Sequence, residues 1–87
     1  IVNTARGGLI HDESLITALR SGRVFAAGLD VFEGEPRMRA EYRSLPNVFA
    51  MPHIGSATEE TREAMGMKCL DNLDALFSGN TPPDRIA

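Results

Sequence analysis

Tryptophan is absent from the 87 residues, and tyrosine and cysteine occur once each. With Cys69 alone no internal disulfide can form, so the expected compartment is a reducing one and the expected location cytoplasmic. No apolar run approaches the ~20 residues a membrane helix needs, and the first residues do not read as a signal peptide. Basic runs and aromatic stacking motifs are also missing. With a net charge of −3, nothing argues electrostatically for nucleic acid or an anionic membrane as partner. Zinc-type spacing is absent, so no metal is expected.

What remains is an ordinary globular composition, 43% hydrophobic and 24% charged, sufficient for at most one small domain. The chain opens on "IVNTARGG", a strand-like start without an initiator Met, so it is expected to be a piece of a larger protein.

The elements follow from local pattern. Residues 1–4 read as a short strand ending at "ARGG". "HDESLITALRSGR" reads as a helix with Asp12 as N-cap, Leu15, Ile16 and Leu19 on one face, and Gly22 just past its end. "VFAAGLDVF" (24–32) reads as a strand buried on both faces, as in a parallel sheet. The polar stretch after it reads as a loop with one helical turn. "VFAMP" (48–52) reads as a third strand stopped by Pro52. A long helix is expected from about Ala57 to Ser78, with Ser56 and Glu59 at capping-box spacing, Met65, Cys69, Leu73, Leu76 and Phe77 at helical spacing, and Gly79 as its stop. The order is that of an α/β fold.

In open α/β sheets ligands bind beyond the carboxyl ends of the strands. Those three ends carry Arg6, then Asp30 and Glu35, then His53. If the strands are parallel, the four groups gather on one edge. Arginine grips a carboxylate through two parallel hydrogen bonds. Histidine moves a proton near neutral pH, and a neighbouring carboxylate fixes its orientation. The set suits proton transfer at a carbonyl or hydroxyl beside a carboxylate. Read singly, each residue has a plainer use: Arg6 as a solvated turn residue, Glu33 and Glu35 as loop charges, His53 as a half-buried side chain, Ser56 as a helix cap. Met65 and Met67 read as packing residues, Cys69 as a small apolar filler, and His11 has no assigned role. Convergence of the four on one edge favours the chemical reading.

Three stretches, "VNTARGGLI", "AAGLDVFEGEP" and "NVFAMPHIGSATEETR", resemble in order and spacing three consecutive motifs of the D-isomer-specific 2-hydroxyacid dehydrogenases. The closest likeness is to the glyoxylate/hydroxypyruvate reductase branch, and it runs from Ile1 to about Pro83. The resemblance implies the C-terminal half of a doubly wound, Rossmann-like parallel sheet plus a long C-terminal helix, part of a larger two-domain fold. Residues 1–78 would belong to the nucleotide-binding domain, and 79–87 would return toward a substrate domain absent from this chain.

The same resemblance implies roles. Arg6 matches the residue that binds the substrate carboxylate and keto oxygen. Glu35 matches the partner of the catalytic histidine, and His53 the general acid/base. Asp30 matches the contact to the nicotinamide carboxamide. Thr4, Ala5 and Gly55 match positions lining the nicotinamide, alongside Arg6 and His53, and Ser56 lies beside the substrate. The reaction implied is reduction of a small 2-keto acid to the D-2-hydroxy acid, with hydride from NADH or NADPH and a proton from His53. Formate dehydrogenases carry glutamine where Glu35 stands, which argues against that branch. GxGxxG and the residue that separates NAD from NADP are both missing. A homodimer is the expectation by resemblance. Two alternatives stay open: an NAD(H)-binding corepressor of the same fold, and an inactive structural fragment. A half sheet would leave an open strand edge and bare helix faces, so the isolated chain is expected to be unstable or to associate, and to be inactive.

Overall fold

Small and branched apolar residues build a three-stranded sheet. The computed structural model describes residues 1–87, with β1 at Val2–Asn3, β2 at Ala27–Leu29 and β3 at Val48–Ala50. The strands are parallel, as the sequence predicts, in the order β1-β2-β3. The register sets Val2 beside Gly28 and Gly28 beside Phe49, and Asn3 beside Leu29 and Leu29 beside Ala50. All three strands therefore end together, and the loops that follow leave from one edge. Helix α1 (Asp12–Arg20) crosses from β1 to β2, α2 (Ala40–Ser44) is the helical turn expected in the polar loop, and α3 is Glu59–Phe77.

The chain divides into two compact units, Ile1–Gly55 and Ser56–Ala87. In the first, the apolar face of α1 meets the sheet. Leu15, Ile16 and Leu19 pack with Ala27, Leu29 and Tyr42 into one buried cluster. Each fully buried Leu or Ile is worth about 1.5–3 kcal/mol of transfer free energy, which is what fixes a nine-residue helix that is too short to persist alone. Tyr42 donates its hydroxyl to Asp12 Oδ1 at 2.7 Å. Burial, reinforced by that carboxylate, pushes the phenol pKa well above its ordinary value.

Three readings are corrected in detail. The run 24–32 forms a strand only over Ala27–Leu29, because β1 and β3 offer no longer ladder to pair with, and Phe25 ahead of it is 92% exposed. Burial on both faces also fails. Ala27 and Leu29 point into the core, whereas Val2 and Phe49, in register with Gly28, are exposed. Asp12 is not the N-cap of α1: His11 occupies that position and Asp12 is the first helical residue, its carboxylate turned to Tyr42.

In the second unit α3 begins later than predicted, and its cap is Thr58, whose side-chain oxygen accepts from the Thr61 N–H at 3.2 Å. Ser56 and Glu59 form no capping box, because Glu59 is already the first helical residue. The stop at Gly79 holds. Its φ is +75°, its N–H bonds the Leu76 carbonyl, and Asn80 N–H reaches back to Ala75 at 2.8 Å, a pattern that satisfies the last carbonyls of the helix. Lys68 and Asn72 hold Asp84 of the following segment at 2.7 and 2.8 Å. No residue of α3 is buried, and no helix is long and apolar enough to cross a membrane.

Candidate active site

The loop after β2 turns sharply at Gly34 (φ +75°) and brings Glu35 back over the strand end. One oxygen of Glu35 accepts from the Phe32 backbone N–H at 2.8 Å, which anchors the carboxylate to its own loop. The other lies 2.6 Å from Nδ1 of His53, on the loop after β3. The pair is half-exposed. The hydrogen bond to His53, then that from Phe32, holds the Glu35 pKa below its ordinary value of 4.5, so Glu35 is an acceptor for the imidazole through the neutral range. With Nδ1 engaged, Nε2 is the nitrogen left for proton transfer.

His53 stands on unusual backbone. Its φ is +56°, the left-handed region that non-glycine residues enter only at a cost of about 1–3 kcal/mol unless the surroundings enforce it. Asp30 ties down the two residues that follow His53 in the loop. Its Oδ1 accepts from Ile54 N–H at 2.8 Å and its Oδ2 from Gly55 N–H at 2.7 Å. A Cβ at Gly55 would meet Oδ2 at 2.9 Å, so the loop closes on the carboxylate only with glycine there.

Arg6 lies on the turn after β1. Its backbone carbonyl accepts from Asn3 Nδ2 at 2.9 Å, and Ala5 N–H donates to Asn3 Oδ1 at 3.1 Å, an Asx-type brace. The guanidinium is exposed and donates to the Ala5 carbonyl at 2.6 Å. Gly7, next along, has no room for a side chain: a Cβ there would collide with the backbone of Phe32 and Glu33. The Arg6 turn is thereby packed, backbone to backbone, on the loop that carries Glu35.

Of the residues singled out in the sequence, His53 with Glu35, and Asp30 with Gly55, are thus in direct contact. Arg6 shares their edge of the sheet without touching His53 or Glu35. Thr4 and Ala5 are exposed on the Arg6 turn. Ser56 belongs to the second unit and is exposed there. A cavity of about 590 Å³ opens beside the His53–Glu35 pair, walled by Phe32, Met38, Met51 and Pro52, with Arg43 also on its wall. Its size suits a small ligand. Arg43 and Met38 gave no signal in the sequence, lying in a stretch read only as polar loop. Asn3 did leave one: an Asn ending a strand just ahead of a glycine-rich turn.

A parallel α/β sheet with ionisable groups gathered beyond its carboxyl strand ends is of the nucleotide-binding kind. The sequence model of the D-isomer specific 2-hydroxyacid dehydrogenase NAD binding domain matches residues 1–55, and the chain belongs to that family. A glycerate dehydrogenase of Hyphomicrobium methylovorum is 51% identical over 79 residues, 91% of this chain and 24% of that protein. Glyoxylate/hydroxypyruvate reductase B of Klebsiella pneumoniae is 50% identical over 80 residues, 91% of this chain and 25% of that protein. The crystal structure of an NADPH-dependent glyoxylate/hydroxypyruvate reductase from Sinorhizobium meliloti, with NADP and malonate, superposes with a TM-score of 0.84 at 45% identity, covering 88% of this chain and 24% of that one. The chain spans about a quarter of the length of these relatives. The family and the α/β class expected from the three motifs are the ones found.

Proposed function

We propose that this chain carries the proton-transfer edge of an NAD(P)-dependent oxidoreductase that reduces a small 2-keto acid, of the glyoxylate or hydroxypyruvate type, to the D-2-hydroxy acid. The observation that carries the reading is the 2.6 Å contact between His53 Nδ1 and Glu35, at the strand ends of a family-matched sheet. A nicotinamide bound at this edge supplies the hydride. Thr4, Ala5 and Gly55 offer backbone surface to its ring, and Asp30 fits its carboxamide, since each carboxylate oxygen keeps a second lone pair beyond the loop N–H it accepts.

The chain's own residues then divide the work. Arg6 grips the substrate carboxylate and faces the oxygen on which charge develops. Glu35 holds the imidazole in one orientation, with Nε2 toward the substrate. His53 gives a proton from Nε2 to the keto oxygen as it becomes a hydroxyl, and takes it back in the reverse direction. Residues 1–78 form part of the nucleotide-binding domain, 79–87 return toward the substrate domain, and the complete protein works as a cytoplasmic homodimer.

The test is turnover of glyoxylate and hydroxypyruvate with NADH and with NADPH by the full-length protein. His53→Ala lowers kcat by at least ~10²–10⁴-fold, the range of general acid–base catalysis. Glu35→Gln lowers it less, because glutamine still hydrogen-bonds the ring but lacks the charge. Near-normal kcat in His53→Ala would refute the assignment.

A further inference from the structure

Besides Tyr42, two side chains with polar groups are buried, Asn3 at 6% and Asp30 at 2% exposed. Both stand at the carboxyl ends of neighbouring strands, Asn3 closing β1 and Asp30 directly following β2. Neither leaves a polar atom idle, and neither uses one on another side chain. Asn3 Nδ2 donates to the Arg6 carbonyl and its Oδ1 accepts from the Ala5 N–H. One oxygen of Asp30 accepts from Ile54 N–H and the other from Gly55 N–H. Each therefore ties down the backbone of one loop: the loop of Arg6 and the loop of His53. The two are joined to each other, because Asp30 N–H donates to the Asn3 carbonyl at 3.0 Å as the last rung of the β1–β2 ladder.

We infer that Asn3 and Asp30 are a linked pair of positioning residues that set the placement of Arg6 relative to His53. The inference rests on the function proposed above and adds to it a role for Asp30 that needs no bound nicotinamide, and a role for Asn3. The physical requirement is plain. Substrate must meet Arg6 and His53 at once, and a misplacement of about 1 Å can cost roughly 100-fold in rate. Both loops are short and their functional side chains are exposed, so packing alone does not fix them. Buried, fully bonded polar groups do, because an unmatched backbone N–H or carbonyl at such a site is costly. The left-handed backbone at His53 is where the constraint is most needed. An unbraced residue 53 would relax toward negative φ and swing the imidazole away from its present direction.

The experiment is steady-state kinetics and NADH titration on full-length Asp30→Asn and Asn3→Asp, with His53→Ala alongside. Asp30→Asn keeps the volume but sets an NH₂ against one backbone N–H. It lowers kcat at saturating NADH by about 100-fold, beyond any weakening of NADH binding, while the KM for the keto acid stays close to wild type. Asn3→Asp removes the donor to the Arg6 carbonyl and raises KM for the keto acid more than it lowers kcat. A weakened NADH Kd with unchanged kcat at saturation in Asp30→Asn would overturn the inference, leaving Asp30 a cofactor contact only. So would unaltered constants in both variants while His53→Ala is inactive. A fully active His53→Ala sinks the proposed reaction instead. Hydrogen exchange on the unmodified protein keeps the inference testable if a variant does not fold: the Ile54 and Gly55 amides are protected, and exchange as fast as that of free loop amides overturns the brace.

Discussion

In the first unit Leu15, Ile16 and Leu19 of α1 are at most 4% exposed; in the second, Leu70, Leu73, Leu76 and Phe77 of α3 are 46–84% exposed. Both stretches show apolar residues at helical spacing, and both form helices. They do so for different reasons. The nine residues of α1 have no side-chain cap bond at their start and hold because one face is removed from water. The nineteen of α3 bury nothing and hold through length, the Thr58 cap, an acidic first turn and the closure at Gly79. Helical periodicity thus predicts a helix in both places, but by itself it does not predict that the periodic face is buried.

The sharpest way to break that contrast is to cut into both helices. Leu19→Ala leaves a void in the buried cluster and costs about 2–5 kcal/mol, whereas Leu73→Ala costs under about 1 kcal/mol, since its side chain is already largely in water. Urea unfolding of the two variants decides. Equal losses would mean that α3 is packed as tightly as α1. Next comes Tyr42→Phe, which deletes the bond to Asp12 and leaves the ring contact with Phe32 intact. A loss of about 1–2 kcal/mol is expected in the same assay, and no loss would show that apolar packing alone secures α2 against α1. In the second unit, Thr58→Ala removes the cap for about 1 kcal/mol and lowers far-UV helicity, while Ser56→Ala changes neither. If Ser56→Ala has the larger effect, the cap lies where the spacing first put it.

The smallest effect is a titration. Glu35 has a folded pKa below 4.5, so its contribution is present above that value and is lost as pH falls through it toward the lowered folded value. Carbon-13 NMR of the Glu35 carboxyl then gives a midpoint below 4.5. In His53→Ala the midpoint rises only part of the way back, because the Phe32 N–H still donates. A midpoint that does not move would mean that His53 is not what holds Glu35.

Much of this was legible in the sequence. Strand ends and loop residues are set by short local runs, so Arg6, Asp30, Glu35 and His53 could be assigned to one edge, and the parallel pairing makes that edge real. Helix caps were less legible. "IHDES" and "GSATEE" each offer several hydrogen-bonding side chains within three residues, and the choice depends on where the backbone turns helical, which packing decides. Asp12 was diverted by Tyr42, thirty residues away. The wall residues Met38 and Arg43 depend on how loops fold over one another, a long-range matter that no local pattern encodes, whereas the Asn3 brace spans only two and three residues and was there to be read. The faces of the sheet were misjudged because apolar residues at 25 and 49 look the same whether something covers them or not.

The left-handed backbone at residue 53 sets stability and activity at odds. Glycine would fit that conformation without strain, and asparagine nearly so, yet neither moves a proton at neutral pH. A screen that selects for heat resistance alone would drift toward such residues at this position and discard the reaction without warning. For the same reason His53→Asn is a cleaner chemical probe than a β-branched replacement, which would report the distortion of the loop along with the missing imidazole.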